Sequence, residues 1–445
     1  MRFDALDEWL AWQDSLHPRK IDLSLDRVGR VAGALGLDRP PFPVVTVAGT
    51  NGKGSCVALL EAVLSAAGYR VGAYTSPHLL RYNERVRVAG AALDDTQLCR
   101  AFSRIDDARG DTALTYFEFG TLAALERFRA ARVDLALLEV GMGGRLDATN
   151  VVDAEVALVA ALGVDHRDWL GPDRESIARE KAGIFRPGRP AVCADPEPPG
   201  SLVQYAARLG TPLYRIGREF DLRIDGAGSW EWKCGGRRRR ALPPPALQGE
   251  FQVRNAAAVL MTLELLAERF PVTQDEVRRG LQEVRLPGRF QVIPGPVERI
   301  LDVAHNPQAA QSLAANLARR PCRGRTLAVV ALLSGKEIEV VTAALDAVVD
   351  RWLVAGLDGP RTLPVAELAG RIRAAPVHGP LSAHPSVAEA LVQADAQARQ
   401  GDRIVVYGSF HTVAAALRRL DAGPAVPRGM TPWGRAAGGS RGQST

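Results

Sequence analysis

The chain has few cysteines and no long uninterrupted hydrophobic run. Its 445 residues include five cysteines, widely separated and without a CxxC pair, so neither a disulfide framework nor a structural zinc site is indicated. No stretch approaches the roughly 18 consecutive apolar residues that a membrane-spanning helix requires. The acidic start, MRFDALDEWLAWQD, lacks the basic flank and cleavage site of a secretory signal. We therefore expect a soluble, cytoplasmic protein with no membrane partner.

The chain also lacks a strong excess of charge of one sign. Its 56 Lys and Arg residues stand against 50 Asp and Glu, a net charge of +6. The only dense basic run, Arg237 to Arg240, lies between a Gly-containing segment and three prolines. This context favours a solvated hairpin tip over a patch for nucleic-acid phosphates. We expect no nucleic-acid partner.

Lysine is scarce, because almost all the basic residues are arginines. A lysine that remains in such a sequence can mark a place where a flexible primary amine does what a planar guanidinium cannot. The five lysines are Lys20, Lys53, Lys181, Lys233 and Lys336.

Strands and helices alternate along most of the chain. From Pro43 a strand, a Gly-rich turn, an amphipathic helix and a second strand follow one another, which predicts a βαβ unit. Apolar strands alternate with helices through residue 184, and this pattern predicts a parallel sheet covered on both faces. Residues 217–247 interrupt it with short polar strand-like pieces, so we interpret them as an excursion and not a domain.

A second alternating series begins after a Pro/Gly-rich segment at 292–298. The length of the chain is sufficient for two or three domains. We predict an α/β protein with a first domain over residues 1–295 and a smaller α/β domain over residues 296–422. Residues 423–445 are rich in Gly, Pro, Ser and Arg without an apolar period, which predicts a disordered tail.

The strongest ligand signal is GTNGKGS at residues 49–55, between a predicted strand and a predicted helix. Glycines let backbone N–H groups approach phosphate oxygens, and the helix N-terminus adds partial positive charge. Lys53 can reach the terminal phosphates, so we predict binding of ATP or a similar triphosphate. Gly54 separates Lys53 from Ser55, which departs from the common GxxxxGK[ST] spacing. An ordinary strand-to-helix turn is the alternative.

Polar residues follow three further predicted strands. Ser76, Glu139 and His166 each come at or just after a strand end. Ligands gather at the carboxyl ends of parallel strands, and a hydroxyl, a carboxylate and an imidazole near a triphosphate can hold Mg²⁺. Taken singly, Ser76 also fits a turn residue, Glu139 a strand-end ion pair and His166 a loop histidine. The three together favour a metal site.

Lys181 follows His166 by fifteen positions, in a predicted helix. Its amine can contact phosphate directly. A neutral amine can instead add carbon dioxide and form a carbamate, which is a carboxylate-like metal ligand. That chemistry requires a lowered pKa, through burial or neighbouring positive charge. A plain surface lysine is the third possibility.

Motifs spread over nearly the whole chain before the tail resemble those of one family. The chain resembles the folylpolyglutamate synthase and dihydrofolate synthase family of the Mur ligase superfamily. The motifs are HPRKIDLSLDRV, VAGTNGKGSC, TSPHLLRYNERVRV, LTYFEFGTLAAL, LLEVGMGGRLDATN, DHRDWLGPDRESIAREKAGIFR, LPGRFQV, LDVAHNPQAA and GSFHTVAAAL. The resemblance implies an N-terminal P-loop ATPase domain of the Mur ligase type, with a mostly parallel sheet, and a smaller Rossmann-like C-terminal domain.

The resemblance also implies a reaction. ATP phosphorylates the carboxylate of a pteroate or folate, and the amine of L-glutamate attacks the acyl phosphate to form an amide. The LTYFEFGTL and IDL segments resemble the bifunctional bacterial form, which makes dihydrofolate and extends its glutamate tail. A monofunctional folylpolyglutamate synthase is the alternative. The expected partners are the small molecules dihydropteroate, tetrahydrofolate and L-glutamate.

Site residues follow from the resemblance, motif by motif. The implied ATP phosphate contacts are Thr50, Asn51, Gly52 and Lys53, and the residues completing the nucleotide site are Asn255, Arg289 and Asp302. The implied ligands of two Mg²⁺ ions are Ser76, Glu139, His166 and carbamylated Lys181. The segments implied to contact dihydropteroate are Ile21, Asp22 and Leu23; Thr115, Tyr116, Phe117 and Glu118; and Leu146, Asp147 and Ala148.

The chemistry agrees with that assignment. Attack on an acyl phosphate concentrates negative charge, which Mg²⁺, Lys53 and Arg289 would stabilise. Because an acyl phosphate hydrolyses, we expect two domains joined near residue 295 to close over it and bring Asp302 and His305 to the first domain's strand ends. His305 would position glutamate or the adenosine side, or serve only as a helix-start residue. The catalytic candidates are Lys53, Lys181, His166, Asp302 and His305.

One departure from the family pattern lies at residues 333–337. Gly335 and Glu337 stand where the family commonly has Asp. Gly335 has no carboxylate, which puts any contact made by the family's Asp at that position in doubt. Lys336 between them remains. Three other functions fit the phosphate loop: a peptidoglycan-precursor ligase, an ATPase switch and a nucleotide-sensing protein. The first would need an N-terminal UDP-sugar domain, and the loop begins at residue 49. No coiled coil or exposed apolar stretch indicates a partner, so we expect a monomer.

Overall fold

The computed structural model describes residues 1–225, 228–359 and 361–421, and the predicted tail at 423–445 lies outside these ranges. Within them the chain forms two mostly parallel sheets and one small antiparallel sheet. The α/β class predicted from the alternation is confirmed. No helix in these ranges is long and apolar enough to cross a lipid bilayer.

The first sheet has eight strands in the described part of the chain. They are β1 (Val44–Ala48), β2 (Val71–Tyr74), β3 (Val86–Val88), β4 (Ala91–Ala92), β5 (Leu135–Glu139), β6 (Val156–Val159), β7 (Ala191–Cys193) and β8 (Leu213–Arg215). Their order across the sheet is β4-β3-β2-β5-β1-β6-β7-β8. Across the sheet, the strands β2, β5, β1, β6, β7 and β8 pair in parallel. Strands β3 and β4 form an antiparallel edge beside β2. The central β1 is wholly buried, which explains why four of the five residues in its sequence VVTVA are apolar.

Helices cover both faces of this sheet. They are α1 (Leu6–Leu16), α2 (Asp26–Leu35), α3 (Lys53–Ala66), α4 (Asp95–Arg109), α5 (Tyr116–Ala131), α6 (Arg167–Leu170), α7 (Arg174–Ala182), α8 (Gly200–Leu209), α9 (Glu250–Leu265) and α10 (Gln274–Glu283), with 3-10 turns at Tyr82–Arg85 and Ala148–Val151. Alternate residues of β5 enter different cores, as the strand geometry requires. Leu135 and Leu137 pack with α3, α9 and α10, whereas Ala136 and Leu138 pack with α1, α2, α4 and α5.

The excursion predicted at 217–247 contains a small antiparallel sheet. Its strands are β9 (Phe220–Ile224), β10 (Trp230–Cys234) and β11 (Arg237–Leu242). Trp232 is buried in the core that also contains α3, α9 and α10. Its Nε1–H donates to the carbonyl oxygen of Ala257 at 3.1 Å. The arginine run was expected at the hairpin tip, and that prediction is wrong in position. The turn falls at residues 235 and 236, so the arginines lie on edge strand β11, where Glu231 pairs with Arg238 and Arg240.

The second sheet has six strands among the described residues. They are β12 (Gln291–Ile293), β13 (Glu298–Asp302), β14 (Thr326–Val330), β15 (Arg351–Ala355), β16 (Leu381–His384) and β17 (Arg403–Tyr407). The order is β12-β13-β17-β14-β15-β16, and only the β12–β13 pair is antiparallel. Its helices are α11 (Pro307–Arg319), α12 (Ile338–Ala343), α13 (Val365–Ala374), α14 (Val387–Gln397) and α15 (Phe410–Asp421), with a 3-10 turn at Asp346–Val348. The carboxyl ends of this sheet and of the first open on the same cavity.

Candidate active site

The phosphate loop connects β1 to α3 and approaches its neighbours closely at two glycines. Gly52 has a φ of +89°, and a Cβ there would lie 2.9 Å from Oδ1 of Asn255. A Cβ on Gly49 would lie 2.9 Å from Cβ of Ala160. Both positions therefore require glycine. Lys53 begins α3, and its Nζ donates to the loop carbonyl of Gly49 at 3.0 Å.

The segment after β6 binds the backbone of Thr50 and Asn51 in the phosphate loop. The N–H of Thr50 donates to the carbonyl oxygen of Ala161 at 2.8 Å. Its Oγ1 donates to the carbonyl oxygen of Gly163 at 2.8 Å and accepts from that residue's N–H at 3.0 Å. The side chain of Asn51 leaves the loop and donates to Oε1 of Gln308 at 2.7 Å. The phosphate loop therefore contacts both the segment after β6 of the first sheet and helix α11, which packs on the second.

One cavity of about 950 Å³ brings the predicted residues together. From the first part of the chain it is lined by the phosphate loop, Ser76, Glu139, His166 and Lys181. From the later part it is lined by Asn255, Arg289, Asp302 and His305. Every residue predicted for ATP, metal or catalysis therefore faces the same space.

Glu139 ends β5 beside the phosphate loop. Its Oε2 accepts the N–H of Ser76 at 3.1 Å, and a Cβ on Gly54 would lie 3.6 Å from its Oε1. Burial raises the pKa of Glu139, and the positive charge of Lys53 opposes that rise. Burial lowers the pKa of Lys53, and the negative charge of Glu139 opposes that fall. Each buried group is thus only partly compensated, which suits a carboxylate that meets a cation and an amine that meets phosphate.

His166 and Lys181 are both shifted towards their neutral forms. Burial lowers the pKa of His166 to about 4, although the nearby charge of Asp165 opposes the shift. Burial lowers the pKa of Lys181 to about 7, and the positive charge of Lys53 contributes. A neutral imidazole is the form that binds metals. A partly neutral, buried amine meets the requirement for carbamate formation.

Arg289 lines the cavity and has a buried, unpaired donor. Its Nη1 is buried and, within the described residues, has no hydrogen-bond partner, while its guanidinium lies 4.9 Å from the centre of the Phe410 ring. Asp302, at the end of β13, accepts the N–H groups of Phe290 at 2.8 Å and Ala304 at 2.7 Å. A buried, unpaired guanidinium N–H is a strong binding group for a phosphate or carboxylate.

Asn255 is joined to the start of α3 through Gln252, its neighbour on helix α9. Its Nδ2 donates to Oε1 of Gln252 at 3.0 Å, and Nε2 of Gln252 donates to Oγ of Ser55 at 3.2 Å. The amide of Asn255 therefore lies at the base of the phosphate loop, as its contact with the space beside Gly52 also indicates.

The donor set fits a metal ion that arrives with its nucleotide. In residues 1–225, 228–359 and 361–421, no three His, Cys, Asp or Glu side chains are grouped closely enough to hold an ion alone. Glu139 and His166 would supply only part of a coordination shell. Mg²⁺ suits such a site, because it usually keeps several waters and takes the remaining oxygens from phosphates.

The segments expected to contact dihydropteroate do not line the nucleotide cavity. Two of them are joined by Arg27, whose guanidinium lies 3.2 Å from Oδ2 of Asp22 and 3.2 Å from Oε1 of Glu118. Glu118 also accepts the N–H of Thr115 at 2.7 Å. Ile21 is exposed and Leu23 half-buried in the loop before α2.

The third segment follows Gly141, Met142 and Gly143, which line the cavity. Asp147 is buried and accepts the N–H of Met142 at 2.9 Å, and Ala148 beside it is buried while Leu146 is half-buried. A Cβ on Gly141 would lie 2.6 Å from Cζ of Phe117, so the second segment packs against the loop that leads from β5 to the third. The neighbouring Tyr116 ring lies 5.5 Å below the guanidinium of Arg85.

Sequence reasoning gave no role to Asp165, which proves central. Its Oδ1 accepts from Nζ of Lys336 at 2.8 Å, and its Oδ2 lies 3.6 Å from Nε2 of His305 and 3.4 Å from Nδ2 of Asn306. Burial alone would raise the pKa of Asp165, but His305 and Lys336 lower it overall. The scarcity of lysine was the available signal for Lys336, and no pattern indicated Asn306.

The departure at 335–337 leaves the neighbouring contacts in place. Gly335 adopts a φ of +77°, and the following Lys336 reaches Asp165. Glu337 Oε1 lies 3.5 Å from Nη2 of Arg167. Both links run between the two parts of the chain.

Comparison with known proteins gives one consistent result. The Mur ligase middle domain matches residues 47–207, and the Mur ligase glutamate ligase domain matches residues 288–410. The dihydrofolate synthase/folylpolyglutamate synthase of Escherichia coli (strain K12) is 45% identical over 417 residues, 94% of this chain and 96% of the relative.

Two solved structures share the fold. Escherichia coli FolC in complex with DHPP and ADP has a TM-score of 0.89 at 44% identity, covering 94% of this chain and 98% of that one. A bifunctional folylpolyglutamate synthase/dihydrofolate synthase with Mn, AMPPNP and L-glutamate bound has a TM-score of 0.86 at 45% identity, with the same coverage.

Proposed function

The chain belongs to the dihydrofolate synthase/folylpolyglutamate synthase family of the Mur ligases, and from this membership we propose that it is the bifunctional ATP-dependent ligase. It joins L-glutamate to dihydropteroate, which gives dihydrofolate. It also joins L-glutamate to tetrahydrofolate and its polyglutamates. The family resemblance inferred from the motifs is confirmed.

Two bond exchanges make up the reaction. A carboxylate oxygen of the acceptor attacks the γ-phosphorus of ATP, and the bond from that phosphorus to ADP breaks. The glutamate nitrogen then attacks the acyl carbon, a C–N bond forms, and the C–O bond to phosphate breaks. The amine loses a proton, which the departing phosphate can accept. Free energy from ATP thus drives an amide bond that would not form from a carboxylate and an amine alone.

The nucleotide is held by the phosphate loop and by residues from beyond it. Thr50, Asn51, Gly52 and Lys53 surround the phosphates, and Asn255, Arg289 and Asp302 complete the site. Arg289 fits this role because its buried Nη1 is unpaired within the described residues. Its fixed positive charge and that of Lys53 stabilise the negative charge that develops on phosphoryl transfer.

Ser76, Glu139, His166 and carbamylated Lys181 are the proposed ligands of two Mg²⁺ ions. When bound, these ions neutralise phosphate charge and polarise the oxygens that react. Glu139 is the last residue of β5, Ser76 lies just after β2, and His166 lies beyond β6 at the N-cap of α6. The lowered pKa of Lys181, about 7, supports its conversion to a carbamate. His305, beside Asp165, is the proposed positioning group for glutamate or the adenosine side.

The cavity of about 950 Å³ that both sheets line is the observation on which the proposal depends. The first sheet contributes phosphate-binding and metal-binding groups, and the second contributes Asp302 and His305. A reactive acyl phosphate formed between them would be shielded from water. We further propose domains at 1–295 and 296–422, a monomeric state and a cytoplasmic location.

The test is a product assay. The protein is incubated with MgATP, L-glutamate and either dihydropteroate or tetrahydrofolate, and products are identified by mass. We expect one glutamate adduct from each acceptor, together with ADP and phosphate. Excess EDTA should abolish both products, and added Mg²⁺ should restore them.

Three rivals give different results in the same assay. Absence of any glutamate-dependent adduct would exclude the proposed ligase function. ATP turnover without glutamate or pterin would indicate an ATPase switch. ATP binding with negligible turnover would indicate a nucleotide-sensing protein. An adduct with tetrahydrofolate alone would indicate the monofunctional folylpolyglutamate synthase.

A further inference from the structure

Five side chains join the phosphate loop to the second sheet. We call them the bridging cluster; they are Asn51, Asp165, Asn306, Gln308 and Lys336. Nδ2 of Asn306 donates to Oδ1 of Asn51 at 3.1 Å and to Oδ2 of Asp165 at 3.4 Å. Nδ2 of Asn51 donates to Gln308 at 2.7 Å, and Nζ of Lys336 donates to Asp165 at 2.8 Å. The cluster is a continuous polar link across the cavity.

The link is anchored at a helix end and is largely buried. Asn306 is the N-cap of α11, where its Oδ1 accepts the N–H of Ala309 at 2.9 Å. Asn306 is buried, and the side chains of Asp165 and Lys336 are only 14% and 16% exposed. Their ion pair is therefore poorly screened by solvent. Asp165 immediately precedes His166, so the link ends beside a proposed metal ligand.

We propose that Asn306 and Lys336 are positioning residues that couple ATP consumption to amide formation. They hold the second sheet against the phosphate loop while the acyl phosphate exists, so that glutamate reaches the acyl carbon and water does not. This assignment rests on the proposed ligase function. It goes beyond that function because it concerns the yield of product per ATP, and neither residue has to touch the substrate.

The failure that the cluster prevents is hydrolysis of the intermediate. Water would attack the acyl carbon, a C–O bond would form, and the C–O bond to phosphate would break. The products are the original carboxylate, phosphate and a proton. One ATP is then consumed without an amide, so loss of coupling appears directly as excess ADP over ligated product.

Asn306→Asp separates the contact with Asp165 from the helix cap. An Asp side chain keeps the oxygen that caps α11 and that accepts from Nδ2 of Asn51 at 3.3 Å, but it replaces the Nδ2 donor with a carboxylate oxygen beside Asp165. Repulsion from Asp165 would open the link. Lys336→Met removes the ion pair without adding charge and serves as the second variant, in case Asn306→Asp folds poorly.

The matched control is Ser386→Asp. Ser386 caps α14 by accepting the N–H of Glu389, does not line the cavity, and gains the same charge. ADP and dihydrofolate are both quantified at saturating glutamate with dihydropteroate as acceptor. Wild type and Ser386→Asp should release about one ADP per dihydrofolate. Asn306→Asp and Lys336→Met should release several-fold more.

The ratio distinguishes positioning from general damage. A variant that made less ADP and less dihydrofolate in equal proportion would overturn the assignment, because a merely structural role lowers both. A ratio above one at low glutamate that returned to one at saturation would overturn it too, because the residue would then act through glutamate affinity. A wild-type protein that formed no glutamate adduct at all would overturn the ligase function itself, and this assignment with it.

Discussion

The amine of Lys53 meets loop carbonyls and a cavity, not the hydrophobic core. Lys53→Met should reduce kcat for both ligations by about 10³-fold or more, because a fixed positive charge at the transferring phosphoryl group is lost. The melting temperature should stay near that of wild type, since Met needs no compensation for a buried charge. Steady-state kinetics and thermal unfolding check both expectations.

Lys233→Met is the matched control for that variant. Lys233 lies on β10, is 57% exposed and pairs only loosely with Asp221 at 3.5 Å. Its loss should leave both activities unchanged. Retention of full activity in Lys53→Met would contradict the assignment of the loop.

Lys181 offers a chemical test of the carbamate. Lys181→Ala should lower activity by about 10²-fold or more, as expected for loss of a metal ligand. A short carboxylic acid such as acetate should restore part of the activity, because it can occupy the space of the carbamate and supply the same oxygens. Activity is measured across acetate concentrations, with chloride at equal ionic strength as the control. Loss of activity without rescue would favour a plain cationic role.

At the scale of elements, helix α2 supports two of the segments predicted for dihydropteroate. Arg27→Met would remove the link between Asp22 and Glu118 and leave the buried Glu118 carboxylate with less compensation. We expect the KM for dihydropteroate to rise by about tenfold or more, with the KM for ATP unchanged. Initial-rate kinetics with each substrate varied in turn would show this split.

Arg215→Met provides the comparison for Arg27. Arg215 makes a similar double contact, to Glu219 at 3.2 and 2.9 Å, and its side chain is 17% exposed against 21% for Arg27. It lies on β8, outside all three predicted segments. If both variants changed stability alike and neither changed the KM for dihydropteroate, Arg27 would be a structural residue only.

The elements themselves were largely predictable, because strand and helix patterns depend on local periodicity. The strand-turn-helix of the phosphate loop, β1 to α3, was placed by its glycines and by the apolar residues on either side. The arginine run was misplaced for an equally local reason. Four consecutive arginines suggested a solvated hairpin tip. The turn, however, needs the left-handed φ that Gly235 supplies, so the arginines lie on the strand that follows it.

At the scale of the whole molecule, we expect a monomer. Large hydrophobic side chains that are exposed among the described residues lie on separate segments: Met1, Ile21, Trp169, Ile224, Val340 and Val392. Single exposed hydrophobic side chains are normal on a protein surface and do not by themselves indicate an interface. Light scattering at micromolar concentration should give the mass of one 445-residue chain. A dimer mass that persisted on dilution would contradict this expectation.

The sequence by itself determined the local chemistry of this protein. Short-range rules apply to glycines between a strand and a helix, to polar residues after strands and to the few lysines. These rules predict the phosphate loop and the site candidates Ser76, Glu139, His166 and Lys181. Only the tertiary structure decided which residues meet across the cavity. Asp165 contacts Lys336, 171 positions away, and Asn51 contacts Gln308, 257 positions away. Contacts at such separations depend on how two sheets face each other, and no local pattern in one chain encodes that arrangement.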